Sequence, residues 1–74
     1  MQMNEALAAT VREIRQKKGM SQEKLAELID SHQVYISEIE TGKKIPSLPI
    51  LSKIAACFGF SLSEFISIVE SRIS

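Results

Sequence analysis

Seventy-four residues, 45% hydrophobic and 24% charged, point to one small globular domain and exclude a disordered or membrane-spanning chain. A chain this short buries only about 60–65% of its unfolded surface, so its core is marginal and self-association would help it. Nine basic and nine acidic residues leave no net charge, which removes the simplest case for a polyanionic partner, and a single histidine with a single cysteine exclude a zinc site.

The first predicted helix runs from about Asn4 to Lys18, with Leu7, Val11 and Ile14 recurring at helical spacing on one stripe. Its opening residues, MQMNEALAATVREIRQ, have no basic start followed by an apolar stretch, so no secretory signal is expected. Arg12, Arg15, Lys17 and Lys18 gather on it, and Gly19 ends it. Ser21 caps a second helix that has Gln22 and Glu23 in its first turn, followed by Leu25, Leu28 and Ile29. Asp30-Ser31-His32 forms a short polar turn, and a third helix follows from about Gln33 to Thr41, with Ile36 and Ile39 facing inward and Gly42 closing it.

Ile45-Pro46 makes a loop, because the residue before a proline is driven out of helical geometry. Ser47 caps the fourth helix, Leu48 to Phe58, in which Leu51, Ile54, Ala55 and Phe58 form the apolar stripe. Pro49 falls in its first turn, where a missing N–H is no loss. Cys57, within that helix, reads as a buried thiol in a reducing cytoplasm. Gly59 ends the helix, and Ser61-Leu62-Ser63-Glu64 is a capping box that opens a fifth helix reaching about Arg72. No alternation of strand period competes anywhere. The fold class is all-α, with five short helices and tight turns.

The stretch from Gln22 to Thr41 meets the demands of two helices crossing at a steep angle over a short turn. Close approach needs a small inner residue, which Ala26 supplies. The turn needs a residue tolerant of positive φ; Asp30 occupies that place, where glycine would be easier. Leu25 and Ile29 anchor one helix, and Ile36 and Ile39 the other. The ordered set Ser21-Gln22, Leu25-Ala26, Ile36-Ser37, Ile39-Glu40, Gly42, Pro46-Ser47-Leu48 and Gly59 with Ser61-Leu62 resembles the lambda-repressor/Cro-like, or XRE, family of helix-turn-helix regulators. The likeness spans about Leu7 to Phe65, and departs from the family at the turn, where Asp30, Ser31 and His32 replace more usual residues. It implies a five-helix domain that binds double-stranded DNA, residues 1–74 forming one unit with its helix-turn-helix at about 22–41.

On that likeness the segment Gln33 to Thr41 is the recognition helix, lying in the major groove. Gln33 comes first, and its amide can pair with adenine N6 and N7; Val34 can pack on a thymine methyl. Ser37 and Glu38 follow one turn on; Glu38 either accepts from cytosine N4 or stands as a solvated charge. Phosphate contacts are expected from Gln22, Tyr35, Lys43, Lys44 and Ser47, Tyr35 having a second reading as a packing aromatic. In relatives the residue matching Gln22 also bonds the one matching Gln33. The resemblance further implies that Arg15 and Glu40 pair, as a lock between the first and third helices rather than a DNA contact.

The fifth helix, about 62–72, is expected to dimerise the chain through Phe60, Phe65, Ile66, Ile68, Val69 and Ile73. Closing the core needs only part of this apolar set, Leu62, Phe65 and Val69. A two-fold dimer would read a pseudo-palindromic operator with half-sites about 34 Å apart, and joining two weak contacts would offset the absent net charge. No nucleophile has a base partner, so no enzyme, cofactor, metal or small-molecule ligand is expected. The alternatives are a phage Cro-like repressor or an antitoxin or adaptor that uses the same fold on a protein. The shortness of the chain favours resemblance to the controller proteins of restriction-modification systems.

Overall fold

A computed structural model describes residues 1–73 and contains five helices: α1 (Met3–Lys17), α2 (Gln22–Leu28), α3 (Gln33–Glu40), α4 (Leu48–Cys57) and α5 (Leu62–Ser71). Helix starts follow local chemistry. The hydroxyls of Ser21, Ser47 and Ser61 accept from the backbone N–H groups of Lys24, Ile50 and Glu64, at 3.0, 3.5 and 3.1 Å. Glu64 completes a capping box by accepting from the Ser61 N–H at 2.8 Å. At the first helix the Gln2 N–H donates to the Glu5 carboxylate at 2.9 Å, so α1 begins one residue earlier than its apolar stripe indicates.

Helix ends share one solution. After α1, α2, α3 and α4 the chain turns through a left-handed residue, Gly19, Asp30, Gly42 and Gly59 respectively. In each case that residue's N–H and the next one fold back to the helix, as in Asp30 N to Glu27 O (3.1 Å) and Ser31 N to Ala26 O (2.8 Å). Asp30, at φ +57°, is the one non-glycine of the four. A short polar side chain pays least among L-residues for that conformation, which is why the turn closes without glycine.

Packing then builds one core. Val11 from α1, Leu25 and Ile29 from α2 and its cap, Ile36 and Ile39 from α3, Ile54 and Phe58 from α4 and its cap, and Phe65 and Val69 from α5 are fully or almost fully buried. Phe58 and Phe65 meet with ring centroids 6.2 Å apart, within the range for favourable tilted aromatic pairs. α2 packs chiefly on α3, while α1 lies between α3 and α5. The buried Thr10 hydroxyl is satisfied by the Ala6 carbonyl at 2.7 Å. Among the described residues, no helix is long and apolar enough by itself to cross a membrane.

Leu28 is exposed, because α2 turns it past the edge of the core that Leu25 and Ile29 fill. Two sequence expectations change on packing. Cys57 is half-buried rather than fully enclosed, and the burial it has pushes its thiol pKa up. Phe65 and Val69 have no accessible surface within one chain, so they cannot form a dimer contact. They lie four residues apart on the face of α5 that meets α1 and α4. Phe60, Ile66 and Ile68 stay half-buried, and Ile73 is exposed.

Candidate nucleic-acid interface

An α-helix of 3.6 residues per turn divides α3 into two sides. Ile36, Ile39 and Glu40 share one arc and are buried. Gln33, Val34, Ser37, Glu38 and the following Thr41 share the other, with Gln33 and Val34 exposed and Ser37 and Glu38 half-buried. Val34, at 64% exposure, is an apolar side chain held out in solvent at the start of the helix, where the fold has no use for it. Tyr35 sits on the boundary of the two arcs and packs partly against the core. His32 precedes the helix as an exposed N-cap whose side chain makes no cap bond, leaving the leading turn of α3 uncovered.

Behind this surface stands a buried polar cluster. Arg15 donates from Nε to Glu40 Oε2 at 2.6 Å and from Nη2 to Oε1 at 3.0 Å, and its Nη1 reaches the Met20 carbonyl at 2.7 Å. The side chains are 11% and 3% exposed, so the pair is largely out of water and ties α1 to α3. Gln22, the first residue of α2, donates from Nε2 to Glu40 Oε1 at 3.0 Å, and its Oε1 accepts from Gln33 Nε2 at 2.5 Å. One connected network thus joins three helices and ends at the exposed amide of Gln33.

The basic residues beyond α3 are arranged differently from one another. Lys43 and Lys44 are both exposed, but Lys44 Nζ lies 3.7 Å from Glu38 Oε1. Glu38 is therefore a partnered charge on the outer arc, not an isolated one. Ser47 stands at the N-terminus of α4, with its hydroxyl already used as the helix cap.

Sequence reasoning missed two contacts. The Glu40–Gln22 bond spans 18 positions, and the bidentate Arg72–Glu13 pair that fastens the end of α5 to α1 spans 59. No local spacing carries such pairs. Arg72 donates from Nη1 at 3.1 Å and from Nη2 at 2.5 Å. The hydrogen bond from Arg72 holds the Glu13 carboxyl below the usual glutamate range.

A two-helix unit joined by a short turn, with an uncovered second helix, a polar leading turn and lysines just beyond it, is a helix-turn-helix DNA-binding domain. A helix-turn-helix family model, HTH_3, matches residues 11–65. The chain belongs to that family and is a DNA-binding transcriptional regulator; the family is not one of enzymes. It is 45% identical over 58 residues to the control protein C.MunI of Mycoplasma sp, covering 78% of each chain. It is 50% identical over 50 residues to the control protein C.BamHI of Bacillus amyloliquefaciens, covering 66% of this chain and 62% of that one. Among solved structures, a mutant of the restriction-modification controller protein C.Esp1396I superposes with a TM-score of 0.85 at 26% identity, over 100% of this chain and 99% of that one.

Proposed function

We propose that this regulator is a restriction-modification controller protein that binds a pseudo-palindromic operator as a homodimer in the cytoplasm. The observation that carries this reading is the uncovered arc of α3 on a chain that is similar to C.MunI and C.Esp1396I over most of the length of each. Gln33 and Val34 read base edges from the leading turn of α3, and Ser37 and Glu38 face the same groove. Glu38 reaches a base when Lys44 leaves it for a phosphate. Lys43, Lys44, Tyr35 and Ser47 hold the backbone in register, with the second N–H of the Gln22 amide beside them. Phe60, Ile66, Ile68 and Ile73 supply the apolar part of a two-fold contact between copies.

Selection of bound sequences from random duplex DNA, followed by footprinting, tests the reading. The expected result is a two-fold related sequence protected on both half-sites. Salt dependence supplies a second measure. Two lysines from each of two protomers neutralise four phosphates, so affinity falls about 100-fold between 50 and 200 mM salt. A chain that retains no duplex of any sequence at low salt is not acting as proposed.

A further inference from the structure

We propose that Glu38 makes the phosphate contact of Lys44 conditional on the base pair beneath α3: cytosine releases the lysine, and other bases leave it on the carboxylate. The inference rests on the reading of α3 as the groove-facing helix and goes beyond it, by giving a charge pair on that helix a part in selectivity.

The backbone fixes the two residues beside each other. The Lys43 and Lys44 N–H groups both donate to the Glu38 carbonyl, at 2.9 and 3.2 Å, and the Thr41 hydroxyl donates to the Ser37 carbonyl at 2.9 Å. The turn after α3 is thereby fastened to the residue that carries the carboxylate. Lys44 Nζ lies 3.7 Å from Glu38 Oε1, on a side chain that is 56% exposed. Its flexible four-carbon stem can carry the ammonium from carboxylate to phosphate by side-chain rotation alone. Lys43, also exposed, has no carboxylate partner among the described residues. The two lysines therefore approach a duplex differently, one free and the other already engaged.

The fold gains little from this pair. Arg15–Glu40, on the same helix, is bidentate and buried and ties α1 to α3. Glu38–Lys44 is one long contact at the edge of solvent between residues six apart, the kind of bridge that adds little stability.

Electrostatics sets the choice in the groove. A carboxylate can only accept hydrogen bonds, and there it lies between two rows of phosphates. Cytosine offers it the N4 amino donor; guanine and thymine turn acceptors towards it, and adenine sets the N7 acceptor beside its amino group. Over cytosine the base satisfies Glu38, and Lys44 is free to neutralise a phosphate. Over other bases a departing lysine would strand an unpaired charge, a larger loss than one phosphate contact returns. The lysine then stays, and the pair enters the groove as a neutral unit.

The test measures the salt dependence of binding for the native chain, Glu38→Gln and Lys44→Met, on selected operators varied at one base pair. Glu38→Ala locates that base pair, as the position whose preference relaxes. On the cytosine operator the native chain neutralises four phosphates with Lys43 and Lys44 of two protomers, and affinity falls about 100-fold between 50 and 200 mM salt. With another base only Lys43 contributes, and the fall is about 10-fold. Glu38→Gln should be steep on both operators, because nothing retains Lys44, and Lys44→Met should be shallow on both. Far-UV circular dichroism confirms that each variant is folded.

Equal native slopes on the two operators would overturn the proposal: equally steep, Lys44 meets a phosphate whatever the base; equally shallow, it never leaves Glu38. A base-dependent slope that survives in Glu38→Gln would overturn it too, as would a native preference other than cytosine at that base pair. If Glu38→Ala relaxes no position but Gln33→Ala relaxes one, the conditional pair falls and the groove-facing reading of α3 stands. If neither relaxes any position, that reading falls with it.

Discussion

Removing one partner of the Arg15–Glu40 pair should cost far more than removing both. The carboxylate is 3% exposed and takes three of the network's hydrogen bonds, two from Arg15 and one from Gln22. Glu40→Leu leaves a guanidinium at 11% exposure with only the Met20 carbonyl for company. Breaking a buried pair in this way costs about 3–5 kcal/mol. A domain of this size has a total stability of only about 4–11 kcal/mol, so the single variant is at or near the edge of unfolding. The double variant Arg15→Met with Glu40→Leu replaces the charges by apolar side chains of similar volume, and should recover most of that loss. Urea melts followed by far-UV circular dichroism measure both, as a change of midpoint at constant slope. A loss below about 1 kcal/mol in the single variant would place the pair with exposed surface bridges and refute the reasoning. So would a double variant no more stable than the single one. Lost DNA binding in Glu40→Leu would then report unfolding, and only the folded double variant could speak about recognition.

Asp30→Gly should stabilise the fold by up to about 1 kcal/mol, since glycine adopts the left-handed turn freely, and raise the thermal midpoint by a few degrees; an unchanged or lower midpoint would mean that the aspartate is not strained. Ile68→Glu lies on a half-buried position beside Phe60 and should weaken self-association at least 10-fold, as measured by sedimentation equilibrium, with the melt lowered as association is lost; a dimer of native strength would remove α5 from the interface. Glu13 and Glu64 both have carboxyls held below the usual range, Glu13 by Arg72 and Glu64 by the backbone N–H of Ser61. Their contribution to stability is complete above the ordinary glutamate value and is lost as pH falls through the lower folded one. Glu13→Gln should therefore flatten part of the acid limb of a stability–pH profile, and an identical acid limb would show that the pair adds nothing.

Much of the architecture was legible because the signals are local. Serine caps, left-handed closers and apolar stripes each act within a few residues, so the five helices fall close to their expected bounds. The resemblance to the XRE family extended that reading to the Arg15–Glu40 pair and to the exposed turn at Gln33. What sequence periodicity overstated was the free apolar surface of α5. Phe65 and Val69, expected both to close the core and to join the dimer contact, are wholly taken up by the space between α1 and α4.

The sequence by itself determined where each helix starts and stops, since those choices are made by hydrogen bonds to neighbours a few positions away. Only the tertiary structure decided which polar groups meet across helices. It joined Glu40 to Gln22 and Arg72 to Glu13. Such meetings depend on how the buried side chains fill the space between helices, and that is a property of the packed whole rather than of any segment.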